Sequence, residues 1–184
     1  CIEDPLREEA ADAVRELKEA GITKVVMMTG DSERTAAAIA KRVGVDEYYS
    51  AVLPEDKASF VEKEKALGHK VIMIGDGIND SLALSSASVG IAISDGAAIA
   101  REIADVTISA DNLHEIVTLK RLSTALMKRI HNNYRTIIGI NGGLIALGVT
   151  GIIMPTTSAL LHNMSTLTIS LRSMKNLLPK EEED

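Results

Sequence analysis

Tryptophan is absent from this 184-residue chain, and phenylalanine and tyrosine together make up only 2% of it. A surface that stacks nucleic-acid bases on aromatic rings is therefore excluded. The net charge of −6 removes the electrostatic attraction that would substitute for stacking, so no nucleic-acid partner is expected. There is one cysteine, at position 1, which rules out an internal disulfide framework or a cysteine cluster for metal. A chain that starts at Cys1 without methionine, directly on an acidic-proline turn, reads as an internal piece of a longer protein. No leader peptide is visible, and none is expected in such a piece.

What the chain does contain is strand–helix alternation. Ile2-Glu3-Asp4-Pro5 reads as a strand end turning into a helix, with Pro5 at its first position and Gly21 as its stop. Strands follow at 22–28, 48–53, 71–74, 89–93 and 106–108. Helices fall between them at 32–43, 54–67, from 79, and at 97–104. The pattern predicts an α/β, Rossmann-like parallel sheet with helices on both faces. Val71 to Ile74 reads as its buried strand.

Ligands of such sheets bind at the carboxyl ends of the strands. Three polar groups are expected there. In Gly75-Asp76-Gly77-Ile78-Asn79-Asp80, glycines force a tight turn, and Asp76 and Asp80 lie close enough to repel unless a cation separates them. Two carboxylates with room for water and phosphate suit Mg²⁺. Alternatively, the aspartates only cap the turn and the helix. In Thr29-Gly30-Asp31, a hydroxyl and glycine amides suit phosphate oxygens. Lys57, one turn into a helix begun by Pro54, supplies a point charge; alone it would read as a solvated surface lysine. Together these make a phosphoryl-transfer site, where positioning and charge neutralisation do most of the catalysis. No strand here ends in an aspartate followed by Lys-Thr-Gly-Thr, so the nucleophile is missing.

The second half differs. A long amphipathic helix is expected from Asn112 (an N-cap with Glu115 three residues on), with Lys120, Arg121, Lys128 and Arg129 on its polar side. From Thr136 to Leu171 the chain runs 36 residues without a charge, His162 aside. One helix of that length would span about 54 Å against a bilayer core of about 30 Å, so two spans with a turn near 151–155 are expected. Basic residues before the first (Arg129, Arg135) and after the second (Arg172, Lys175, Lys180) put both flanks on the cytoplasmic side. Gly139 and Gly143, four apart, allow close helix packing. Two buried helices of a soluble core are the alternative. Asn141 in the first span, and His162, Asn163, Ser165 and Thr166 in the second, suggest an ion path, since intramembrane polar groups face the bundle interior. An imidazole with oxygen donors suits borderline or hard divalent ions more than Cu(I).

Thr29-Gly30-Asp31, Pro54-x-x-Lys57, Gly75-Asp76-Gly77-Ile78-Asn79-Asp80 and Asp4-Pro5-Leu6-Arg7 together resemble the haloacid-dehalogenase-type phosphorylation domain of P-type ATPases, in the family's order. The resemblance implies a C-terminal fragment of a heavy-metal-transporting pump. Its residues 1–110 would be the C-terminal part of the phosphorylation domain, 111–134 an amphipathic stalk helix, 135–178 two transmembrane helices, and 179–184 an acidic cytoplasmic tail. By that likeness Asp76 binds Mg²⁺ with Asn79 and Asp80 in support, Thr29 and Lys57 contact the aspartyl-phosphate, and Asp31 lies at the hinge side of the ATP. The phosphorylated aspartate and the nucleotide and actuator domains would lie upstream, leaving this fragment alone inactive. The protein would be a multi-pass cell-membrane protein in contact with lipid, with 1–134 and the C-terminus cytoplasmic.

Within that family, copper pumps carry Tyr-Asn and Met-x-x-Ser-Ser where this chain has Ile140-Asn141 and His162-Asn163-Met164-Ser165-Thr166. The lysine and Asp-x-Gly of zinc and cadmium pumps are absent, and the His-Glu-Gly of cobalt-type pumps matches only at the histidine. The His-Asn-x-Ser-Ser pattern of manganese exporters matches best, so Mn²⁺ is the favoured cargo over Zn²⁺, Cd²⁺ or Co²⁺. A Mg²⁺-dependent phosphatase of the haloacid-dehalogenase type, soluble or membrane-tethered, is the alternative function. A regulatory metal-binding membrane protein without a catalytic half is a third.

Overall fold

The computed structural model describes residues 9–76, 78–93, 98–108 and 113–177. The Asp4-Pro5-Leu6-Arg7 segment, Gly77, Asn112, Lys180 and the acidic tail lie outside the described residues. Two compact units divide the chain, 1–119 and 120–184.

The first unit alternates as read from the sequence: α1 (Ala10–Glu19), β1 (Val26–Met28), α2 (Glu33–Val43), β2 (Glu47–Tyr49), α3 (Pro54–Ala66), β3 (Ile72–Gly75), a 3-10 turn (Ile78–Asp80), α4 (Ser81–Ser86), β4 (Val89–Ile93), α5 (Ala98–Ile103) and β5 (Val106–Ile108). Each boundary has a local cause. Gly44 closes α2 in the left-handed region at φ 78°, where a Cβ would be strained. Pro54 occupies the first turn of α3, and the Asp56 carboxylate accepts a hydrogen bond from the Leu53 N–H at 3.2 Å.

Among the described residues every strand pairing is parallel, and the strands form two separate sheets. β1 pairs with β2, with Val26 opposite Glu47. Separately, β3, β4 and β5 pair in that order, with Ile72 opposite Val89 and Ile91 opposite Val106. Among the described residues β1 and β3 each have one unpaired edge.

The expected buried strand is also misassigned. Ile72 and Ile74 of β3 are 39% and 37% exposed, whereas Ile91 and Ala92 of β4 are almost fully buried. Periodicity marks an apolar strand but cannot tell a central position from an edge. β4 is the centre because both its faces are covered. Ile91 packs with Leu17 of α1, Ile108 of β5, and Ile116 and Val117 beyond it. Ala92, facing the other way, packs with Leu84 of α4.

In the second unit, α6 (His114–Val149) enters from the first unit and continues unbroken, so the expected stalk and first span are one helix. A turn at 150–154 containing Gly151 at φ 74° leads into α7 (Pro155–Ser173). The two helices form an antiparallel hairpin. Asn133 of α6 donates to the Ser173 hydroxyl at 2.7 Å, and farther along Asn141 meets His162 at 2.8 Å. Among the described residues no helix is long and apolar enough to cross a membrane. The charge-free run is real, but α6 ends at Val149 soon after the run begins, and serine, threonine, histidine and asparagine occupy much of the α7 part. Among the described residues nothing packs against Gly139 or Gly143: a Cβ at either would meet open space.

Candidate active site

The residues expected to serve phosphoryl transfer gather in two groups at the carboxyl ends of β1 and β3. In the first, the Thr29 hydroxyl donates to Asp31 Oδ2 at 2.8 Å and accepts from the Asp31 N–H at 3.1 Å. Thr29 is half-buried, while Gly30 and Asp31 are exposed. The backbone beyond β2 fixes this loop. Thr29 N–H donates to the Tyr49 carbonyl, Val52 N–H to the Thr29 carbonyl at 3.0 Å, and Ala51 N–H to the Asp31 carbonyl at 2.8 Å. Ala51 reaches that carbonyl by adopting φ 51°, the one positive φ of a non-glycine residue among those described. This strained residue carries no sequence signal, because alanine is not a left-handed former.

The same corner is tied to α2. Tyr48 and Ser50 both donate to the Glu33 carboxylate, at 2.8 and 2.5 Å. The Ser50 and then the Tyr48 hydrogen bond hold Glu33 below the usual carboxylate range, and Glu33 in turn raises the Tyr48 phenol. Glu33 was missed from the sequence, where it looks like an ordinary first-turn acid.

In the second group, Lys57 Nζ lies 2.7 Å from Asp80 Oδ1, with side chains only 16% and 10% exposed. α3 presents the lysine from its first turn, and the 3-10 turn after β3 carries Asp80 back beneath the strand end. Asp80 precedes α4 without making a side-chain cap bond, so helix capping does not account for it. Gly75 is required here for space, not for a turn: a Cβ on it would lie 2.6 Å from Asp80 Cβ. Asp76 and Asn79 are exposed at the mouth of this group.

The structure therefore joins Thr29 with Asp31 and Lys57 with Asp80. Among the described residues no hydrogen bond or ion pair links the two groups, nor do three or more His, Cys, Asp or Glu side chains form a metal cluster. The donor chemistry still fits Mg²⁺, which needs one or two carboxylates and fills the rest of its shell with water and phosphate. Asp76 is the accessible carboxylate, whereas one oxygen of Asp80 is already neutralised by Lys57.

In the second unit, His162 Nδ1 and Asn141 Oδ1 are 2.8 Å apart across the hairpin. Ser165 and Thr166 instead donate their hydroxyls to the His162 carbonyl, at 2.8 and 3.0 Å. Asn163 is exposed, one position round the helix from this pair. Of the five polar residues expected to converge, only Asn141 and His162 meet side chain to side chain.

A haloacid dehalogenase-like hydrolase family model matches residues 1–88. The chain is similar to the manganese-exporting P-type ATPase of Mycobacterium tuberculosis, with 36% identity over 175 residues, 95% of this chain and 24% of the relative. It is 37% identical over 187 residues to the copper-exporting P-type ATPase of Staphylococcus aureus, covering 100% of this chain and 23% of that one. Among solved structures, a zinc-transporting PIB-type ATPase in an E2·Pi state superposes with a TM-score of 0.88 at 33% identity, over 96% of this chain and 29% of that one. The chain spans about a quarter of the length of the curated relatives it matches.

Proposed function

Because the chain is homologous along its length to the heavy-metal P-type ATPases, with a haloacid dehalogenase-like hydrolase domain in its first part, we propose that it works within an ATP-driven pump exporting a divalent transition metal through an aspartyl-phosphate. The observation that carries this reading is the part-buried Lys57–Asp80 pair beside the exposed Asp76 at the end of a parallel strand. Asp76 would hold Mg²⁺, which when bound neutralises phosphate charge. Asp80 acts through Lys57: its carboxylate holds the ammonium in place at 2.7 Å while the lysine waits for a phosphate oxygen. Thr29 offers its hydroxyl to the same phosphate once it releases Asp31, and Gly30, exposed and without a side chain, leaves room for it. Asn79, exposed at the mouth, supports the Asp76 side of the site. Asp31 would then be free to face the nucleotide side. A strand bearing the nucleophile, supplied from outside this chain, would pair at the open edges of β1 and β3.

The hairpin of α6 and α7 would be the membrane part, its polar residues paired with each other within a larger helix bundle and both its ends cytoplasmic. In that setting the modest hydropathy of each helix is tolerable, since polar side chains facing a bundle interior avoid lipid. The cargo would be a divalent ion, Mn²⁺ ahead of Zn²⁺, Cd²⁺ or Co²⁺, reasoned from His162 beside oxygen donors. Asn163, Ser165 and Thr166 would contribute oxygens around it.

The test is Asp76→Ala in the intact pump, which should abolish Mg²⁺-dependent phosphoenzyme formation from ATP. Unchanged phosphorylation would overturn the site. The phosphatase alternative draws on the absence of a sufficiently apolar helix among the described residues. Recovery of the intact protein in the soluble fraction, with Mg²⁺-dependent hydrolysis of a small phosphate ester, would favour it.

A further inference from the structure

Resting on the reading of α6 and α7 as the ion-conducting hairpin, we propose that Asn141 is a positioning residue and not a ligand, holding His162 in the tautomer that presents Nε2 to a divalent ion. The atom of Asn141 that faces His162 is the amide oxygen, 2.8 Å from Nδ1. An amide oxygen can only accept, so Nδ1 carries the hydrogen. In a neutral imidazole the remaining lone pair then sits on Nε2, and this is the ring's one site for a cation. Histidines that bind metal generally donate their other ring N–H to an oxygen, which fixes the ring and makes the bound nitrogen more basic. Asn141 fills that role from the neighbouring helix.

The rest of the cluster serves the same end. The Ser165 and Thr166 hydroxyl hydrogens are committed to the His162 carbonyl, which stiffens the turn carrying the ring. Each hydroxyl oxygen keeps its lone pairs and can still serve as a hard donor atom toward a cation. A site built from one imidazole nitrogen and hydroxyl or water oxygens selects a borderline or hard divalent cation, and it offers Cu(I) no thiolate or thioether as a primary donor.

The intact protein in detergent micelles, isotope-labelled at the histidine nitrogens, provides the test, with His162 assigned by His162→Gln. The expected spectrum has Nδ1 protonated and Nε2 bare. Added Zn²⁺ should shift Nε2 while the Nδ1 hydrogen stays. Asn141→Leu should lose the fixed tautomer and weaken Zn²⁺ binding about tenfold or more, the usual effect of removing such a partner. Asn141→Asp, which keeps an acceptor oxygen, should retain both. An Nε2–H tautomer in the wild type, an Nε2 signal that ignores Zn²⁺, or an Asn141→Leu chain with unaltered tautomer and affinity would each overturn the proposal. The pump reading fails by a separate measurement: an intact protein whose ATP hydrolysis is stimulated by none of Mn²⁺, Zn²⁺, Cd²⁺ or Co²⁺.

Discussion

Lys57 Nζ and Asp80 Oδ1 stand 2.7 Å apart, the aspartate being the one buried charged residue among those described. Neither partner is easily spared, because a charge left alone in such a place loses both its hydration and its counter-charge.

Asp80→Asn and Lys57→Met should each lower the stability of the first unit by about 1.5–3 kcal/mol, the range for hydrogen bonds to charged groups. The double variant should cost less than the sum of the two. Chemical denaturation of all four proteins measures the coupling. Strictly additive losses would show that the pair does not act as a unit.

Gly75→Ala places a methyl 2.6 Å from Asp80 Cβ. Overpacking of this kind costs about 1–3 kcal/mol. Since the displaced residue is the partner of Lys57, phosphoenzyme formation in the intact pump should fall with stability. Gly30→Ala is the control: the nearest atom there is the Val52 carbonyl oxygen at 3.9 Å. A melting temperature unmoved by Gly75→Ala would contradict the close approach.

Asp46 gives the pH dependence. Its carboxyl is held below the ordinary range first by Lys18 at 2.8 Å and then by the Val25 N–H at 2.7 Å. A lowered folded pKa means that the unfolded chain binds the proton first as pH falls. The stabilisation is therefore complete above the ordinary carboxylate pKa and is lost as pH drops through the lowered folded value. Glu33 adds to the same trend through Ser50 and Tyr48. Both groups sit at the surface, so the effect is modest and weakens in salt. Melting temperature followed from neutral to acid pH should fall less steeply for Asp46→Asn than for the wild type; parallel curves would refute the assignment.

Arg129 caps the end of α7, donating through Nη1 to the Ser173 carbonyl at 3.0 Å and to the Lys175 carbonyl, and through Nη2 to the Asn176 carbonyl at 3.0 Å. Ser173 ends α7, so its carbonyl has no partner within the helix, and Lys175 and Asn176 follow just beyond it. Arg129→Gln should speed amide hydrogen exchange in the last turn of α7 about tenfold or more, equivalent to roughly 1.4 kcal/mol or above. Arg129→Lys should restore little, because an ammonium cannot fork to three carbonyls as a guanidinium does. Equal exchange in wild type and Arg129→Gln would dismiss the cap.

The order of strands and helices was written in local chemistry: alternating apolar runs, Pro54 at a helix start, and Gly44 and Gly151 at helix ends. Neighbouring residues decide those features, so a linear reading recovers them. The candidate residues were equally legible, since the motifs single out Thr29, Lys57, Asp76 and Asp80 without reference to any partner. Tertiary structure alone decided who meets whom. It made β4 the buried centre and β3 an edge, because covering both faces of a strand requires helices distant in sequence. It turned Gly75 from a turn residue into a gap for Asp80, and it turned Asp80 toward Lys57, 23 positions away. It also drew Asn141 to His162 across the hairpin and left Ser165 and Thr166 bonded to their own helix. Such pairings depend on how elements pack in space, and no spacing along the chain encodes that.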